Sequence, residues 1–314
     1  MRLTHAEIIA VGSELLDGAH PDSNSLQLSL WLANLGICVR AKHVVTDEPE
    51  AIAAALRTSL ARSPLVLCTG GLGPTWDDCT REAAATALRR SLRPDPRMLA
   101  HIRRRYKGRA MPIVNLRQAD RLTGALWLHN HHGSAPGQWC RAGQGRFLVL
   151  LPGPTREMEA MFRDQVLPRL RRLAPAPLAA RLLRVAGLGE SAVDERVADL
   201  CRTPPSVQVT ILANSEPAVE LHIRGERRAA DRLARQLRAR LGSAVFASQP
   251  LPLAEVVGNA LLAHGDTVAV AESCTGGMLG AQLSAIPGSS RYFLGGVIAY
   301  SNEVKRQLLG IPAA

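Results

Sequence analysis

Apolar residues in the first half of the chain fall into short runs, separated by longer stretches of helical period. Ala6–Gly12, Ile37–Val45, Leu65–Thr69 and Phe147–Leu151 are brief and β-branched or uniformly apolar, the pattern of strands covered on both faces. Between them Ser25–Asn34, Glu50–Arg62 and Thr80–Arg89 are rich in Ala, Leu and Arg and predict helices. Pro49, just after Asp47, suits the first turn of the second of these. Such alternation predicts a parallel sheet with right-handed crossovers.

Two proline-bearing stretches, 173–178 and 248–253, interrupt helical patterns and mark seams, dividing the chain into 1–172, 179–247 and 251–314. The middle segment reads strand (Leu182–Ala186), helix (Ser191–Leu200), two strands (Val207–Ala213, Ala218–Arg224) and helix (Arg227–Leu241). That is a small α+β module. The third reads helix (Leu253–Ala263), strand (Thr267–Ala271), helix (Gly277–Ser284), strand (Gly295–Tyr300) and a short helix.

Composition narrows the class. In 314 residues, 46% hydrophobic and 21% charged content excludes wholesale disorder. No apolar run approaches the roughly eighteen residues of a membrane span, and the N-terminus lacks a secretory h-region. A cytoplasmic protein is expected. The net charge of +11 invites a nucleic-acid reading, but only Lys42, Lys107 and Lys305 are lysines. Arg-for-Lys bias of this kind follows from GC-rich codons. Aromatics are 4%, too few for base-stacking platforms, so the sequence argues against a nucleic-acid partner. Six scattered cysteines show no zinc or disulfide spacing.

The polar residues of the first segment sit where its strands end. Ser13-Glu14, Asp47, the glycine-rich Thr69–Thr75 and Pro152-Gly153-Pro154 would meet at the carboxyl edge of a parallel sheet, where ligands bind. Glycines let backbone N–H groups approach a phosphate, and a helix start near Thr80 adds its positive end. Asp77 and Asp78 would repel a bare phosphate but suit a bridging Mg²⁺. The bland alternative is a tight turn with Asp78 capping the next helix. His129, His131 and His132 read as a polar surface loop rather than a metal site.

AEIIAVGSELLDG, Asp22-Ser23-Asn24, TGGLGPTWDDCTREA, Gly133–Gly137 and LLPGPTREM resemble the N-terminal domain of CinA (competence/damage-inducible) proteins, itself similar to the MoaB/Mog molybdopterin-binding fold. The resemblance implies an α/β fold: a three-layer parallel-sheet MoaB/Mog-like domain (1–172), a small α+β KH-like domain (179–247) and an incomplete α/β CinA C-terminal domain (251–314). It also implies metal-dependent hydrolysis of ADP-ribose to AMP and ribose 5-phosphate, with Asp47 and Asp78 as catalytic residues holding a divalent ion such as Mg²⁺. Ser13, Glu14, Asn24, Gly70, Gly71, Gly73, Thr75, Thr80, Glu82, Gly133, Ser134, Pro152 and Gly153 are the candidate nucleotide contacts. Alternatives on the same fold are binding or adenylylation of a pterin dithiolene cofactor, or a non-catalytic nucleotide sensor. A homodimer is the expected assembly.

The middle segment resembles the KH-like module of the same family, but Gly187-Leu188-Gly189-Glu190 misplaces the second glycine of an RNA-clamping GxxG. In the third, Ala271–Gly277 is a strand end, polar turn and helix start, read as a ready anion or oxyanion site. With Tyr300–Lys305 it is similar to the CinA nicotinamide mononucleotide deamidase domain. By that likeness Ser273 and Lys305 form the catalytic pair, Thr275, Gly276, Gly277 and Tyr300 line the pocket, and Cys274 is structural. The family's domain is more than twice the length of 251–314, so a truncated, weak deamidase is expected.

Overall fold

Each strong apolar run of the first 178 residues becomes a strand of one sheet. The computed structural model describes residues 2–106, 110–143, 145–176, 178–202, 207–213 and 218–312. In chain order its elements begin β1 (His5–Val11), α1 (Ser13–Leu16), α2 (Ser23–Asn34), β2 (Cys38–Val45), α3 (Pro49–Arg62), β3 (Leu65–Thr69), α4 (Thr80–Leu88), β4 (Leu92–Pro94) and α5 (Pro96–Arg105). They continue with β5 (Asp120–Leu122), β6 (Leu126–Leu128), β7 (Gly137–Arg141), β8 (Phe147–Leu151), α6 (Thr155–Met161) and α7 (Leu167–Leu173).

The sheet order is β2-β1-β3-β8-β7-β6. Its first four strands are parallel, as the pattern predicts. The last two are antiparallel and were not foreseen, nor was the separate antiparallel pair β4–β5. Strands of three residues are too short to show a period. A buried side chain links them: Gln138 of β7 accepts the Leu122 N–H at 2.9 Å and donates to the Asp120 carbonyl at 2.9 Å.

Alternation along the central strands builds two cores. Ile8, Leu65, Leu67 and Val149 pack with Leu28, Leu32, Phe162 and Leu170 on one face, where Trp31 stacks on Phe162 at 4.8 Å. Ile9, Val66, Cys68 and Leu148 pack with Ile52, Leu56 and Ala83 on the other. Helices on both faces of a buried sheet give three layers. Glu7 carries a charge into this interior: it accepts hydrogen bonds from Arg62 (2.8 Å) and Ser63 (3.0 Å) and pairs with His43 (2.9 Å). Burial opposes its ionisation, but these bonds outweigh it and hold its carboxyl at about 2.

By internal contacts the chain forms two units, Met1–Leu178 and Ala179–Ala314. The second holds β9 (Ala179–Val185), α8 (Glu190–Cys201), β10 (Val207–Ala213), β11 (Val219–Gly225), α9 (Arg227–Leu241) and β12 (Val245–Ala247). These are followed by α10 (Leu253–His264), β13 (Val268–Glu272), α11 (Met278–Ser284), β14 (Phe293–Ile298) and α12 (Asn302–Leu309). β10-β11-β9-β12 is antiparallel, adding β12 to the expected β-α-β-β-α order. β13 and β14 form a two-stranded parallel sheet. Of the seam 173–178, residue 177 lies outside the described residues. In the seam 248–253, the Leu251 carbonyl accepts a hydrogen bond from Arg184 of β9. No helix among the described residues is long and apolar enough to cross a membrane.

Candidate functional site

In the first unit the chain leaves β1 for β2 on one side and then returns to β3 on the other. The strand order therefore reverses between β1 and β3, and the loops at their carboxyl ends splay apart to leave a crevice. Gly70 and Gly71 form its floor. Their φ values are +103° and +63°, and a Cβ at either would lie 2.2 Å from the Val11 carbonyl oxygen or the Thr80 hydroxyl. Only glycine allows that approach. Thr80 is fully buried and donates to the Gly70 carbonyl at 2.9 Å, so it shapes the loop from beneath rather than meeting a ligand.

Asp78 does not cap α4, contrary to the bland alternative. The residue at the cap is Cys79, with no side-chain bond. Asp78 instead folds the loop back on itself: Oδ1 accepts from the Gly73 N–H (2.8 Å), and Oδ2 from the Thr75 N–H (2.9 Å) and hydroxyl (2.5 Å). Asp47 accepts from the Ser13 N–H (2.8 Å) and hydroxyl (3.0 Å). The Cys79 thiol donates to the Asp47 carbonyl at 3.2 Å, which ties the turn after β2 to the start of α4 and brings the two aspartate loops together.

Asn24 bolts a third loop to this edge. Its amide donates to the Gly153 carbonyl (2.7 Å) and Thr69 hydroxyl (3.1 Å), while Thr155 donates to its oxygen (2.9 Å). Two clefts result. One, about 340 Å³, is lined by Val11, Glu14, His20, Asp22, Asn24, Gly70 and Thr155 among others. The second, about 300 Å³, is lined by Gly71, Gly73, Pro74, Asp78, Gln118, Ser134, Pro152 and Glu157 among others. They meet at Gly153–Pro154. Gly133 stands just outside: its N–H donates to Asn130 at 2.8 Å, and a Cβ there would collide with Glu157.

Several of these residues escaped sequence reasoning. Arg81 is fully buried under the loop and donates to the carbonyls of Leu72 (2.6 Å) and Gly73 (3.0 Å). Arg117 donates to the Thr75 carbonyl (2.7 Å) and pairs with Glu82 (2.8 Å), so Glu82 anchors the loop's outer side. Their charge gave no signal in an arginine-rich chain. His20, Gln118 and Glu157 were missed too, although Glu157 lies in a motif that was noted. The histidines 129, 131 and 132 are not a uniform surface loop. His129 is half-buried, 4.1 Å from His101 and 4.0 Å from His131 between ring centroids. Burial first, then the neighbouring His101 and His131, push His129 down to about 4.

The donor set bears on a metal. Among the described residues no three His, Cys, Asp or Glu side chains converge as ligands. One oxygen of Asp77 is buried without a hydrogen bond. A cation here would draw one or two carboxylates from Asp47 and Asp78 and complete its shell with phosphate oxygens and water. That is the habit of Mg²⁺ rather than of zinc.

The second unit places Ser273, Thr275, Gly276 and Gly277 between β13 and α11, and Tyr300 and Lys305 after β14, at one edge of the two-stranded sheet. The ready anion site expected there is already filled. Glu272, buried at the end of β13, accepts from the N–H groups of Gly277 (3.1 Å), Leu279 (3.0 Å) and Gly280 (2.8 Å). Burial opposes its charge, but those N–H groups hold its carboxyl below the usual range. No hydrogen bond joins Ser273 to Lys305; Ser301 caps α12 by accepting from Val304 at 3.2 Å. Cys274 is exposed, so burial does not account for it.

Residues 7–172 match the family described as probable molybdopterin binding domain, 180–247 the damage-inducible protein CinA KH domain, and 251–314 the CinA C-terminal domain. A CinA-like protein of Koribacter versatilis is 44% identical over 320 residues, covering 98% of this chain and 77% of that protein. A CinA-like protein of Solibacter usitatus is 43% identical, covering 98% and 76%. A crystal structure of CinA from Thermoplasma acidophilum, described as of unknown function, is 35% identical with a TM-score of 0.51, covering 52% of this chain and 96% of that one. With such likeness along nearly its whole length, and a core of strands and glycine loops to match, this chain belongs to the CinA family.

Proposed function

We propose that the first unit is a metal-dependent ADP-ribose pyrophosphatase. The observation that carries the reading is the pair of clefts meeting over Gly70–Gly71 and Gly153, with Asp47 and Asp78 in the adjoining loops. A pyrophosphate laid across the glycines puts one riboside in each cleft. Water attacks one phosphorus, the bond from that phosphorus to the bridging oxygen breaks, and AMP and ribose 5-phosphate leave. Asp47 and Asp78 would hold a divalent cation, which would supply charge neutralisation for the phosphate oxygens. The chain's own part is positional: Asn24 fixes the loop of Gly153, and Arg81 and Asp78 fix residues 72–75. Product analysis with Mg²⁺ and with chelator tests this. AMP with ribose 5-phosphate, abolished by chelator and by Asp78→Ala, is expected; full-rate hydrolysis lacking both Asp47 and Asp78 sinks the assignment.

The match to a molybdopterin-binding family supports a second reading, in which the same clefts hold a pterin dithiolene. Tighter binding of that cofactor than of ADP-ribose, without hydrolysis, is its signature. In the second unit, Ser273 and Lys305 are the deamidase candidates. With Glu272 occupying the helix start, little ammonia release from nicotinamide mononucleotide is expected. Strong release blocked by Ser273→Ala would overturn that expectation.

A further inference from the structure

Trp76 is the most exposed large apolar side chain among the described residues, at 90%. Exposing an indole forfeits the hydrophobic gain of burying it, so a free tryptophan on a rigid support points to a ligand. The support here is rigid. On one side Thr75 is held through its N–H and hydroxyl by Asp78, and through its carbonyl by Arg117. On the other, the Asp78 N–H donates back to the Thr75 carbonyl at 3.3 Å, closing the turn under the indole. Pro74 and Asp78, which bracket Trp76 in sequence, both line the second cleft.

We propose that Trp76 is a specificity-determining residue that stacks on the nucleobase of the substrate, so that the site takes base-bearing nucleotides over base-free sugar phosphates. The inference rests on the nucleotide reading of the first unit. Every base offers a π-face, and an exposed indole carried on a fixed turn, between two residues of the cleft wall, is placed to cover one.

The exposed position makes the test clean, because Trp76→Ala removes no core contact. Of the four tryptophans, Trp31 and Trp127 are half-buried and Trp139 is buried, so quenching by acrylamide reports chiefly on Trp76. The full chain with Mg²⁺ is titrated with AMP and, separately, with ribose 5-phosphate, neither of which the reaction consumes. AMP is expected to shield the emission from acrylamide and ribose 5-phosphate to leave it open. Trp76→Ala is expected to raise the Kd for AMP about tenfold while leaving that for ribose 5-phosphate unchanged. Unshielded emission at saturating AMP, or equal AMP affinity in the variant, overturns the inference. So does shielding that grows with protein concentration alone, which would mark a contact between copies. ADP-ribose turnover measured alongside separates the two readings. Cleavage with Trp76 unmoved sinks only the base contact, whereas shielding by AMP without cleavage sinks only the hydrolase.

Discussion

Two edges of this protein are built from the same parts. At both, a parallel strand runs into a glycine-containing polar turn and then a helix, with a carboxylate folded against backbone N–H groups. In the first unit that carboxylate is Asp78, partly exposed, set after the glycines and lining the second cleft. It closes the loop through Gly73 and Thr75 and leaves the helix start to others. In the second unit it is Glu272, buried at the strand end and bonded to three N–H groups around the start of α11. Four parallel strands deliver loops to the first edge and two to the second. At both edges the carboxylate spends N–H donors of its own turn, so what sets the first apart is that neighbouring loops wall in clefts beside it.

The largest effect expected is at Gly70. Gly70→Ala forces a Cβ onto the Val11 carbonyl at φ +103° and should cost about 3 kcal/mol with loss of turnover, read by thermal melting and product formation. Its counterpart Gly276→Ala, at φ +59° with open space around it, should cost about 1 kcal/mol. Similar losses would erase the distinction between a crowded and an open turn. Next, Asp78→Ala should lower ADP-ribose hydrolysis by about a hundredfold, whereas Glu272→Gln should lower only the melting midpoint. An activity change in the second would show that the two carboxylates play like roles. Asn24→Ala removes three bonds across the first cleft and should cut kcat/KM about tenfold.

A further effect, on stability alone, lies away from both edges. Glu7 titrates near 4.5 when unfolded and at about 2 when folded, so its contribution is complete above pH 4.5 and lost as the pH falls toward 2. Acid titration should show Glu7→Gln less stable at neutral pH, with a flatter acid limb than the native chain.

The parallel core was legible because short, uniformly apolar runs alternating with helical stretches read as strands buried on both faces: Leu65–Thr69 and Phe147–Leu151 appear with the bounds their residues imply. β4, β5 and β6 were not legible, because three residues carry no period and their partners lie 9 to 30 positions away. Of the site, the glycines and aspartates announced themselves by clustering at strand ends. Arg81 and Arg117 did not, since an arginine in a helix looks solvated until the fold buries it. The turn after β13 misled for a related reason: a polar turn and helix start suggest an anion site, and only the structure shows Glu272 to be the anion.

The most direct test of the contrast between the edges is one incubation of the chain with Mg²⁺, ADP-ribose and nicotinamide mononucleotide in equal amounts, with products read by mass spectrometry. The account predicts AMP and ribose 5-phosphate with the mononucleotide intact. Nicotinate mononucleotide without AMP would contradict it, placing the working chemistry at the edge where Glu272 fills the helix start.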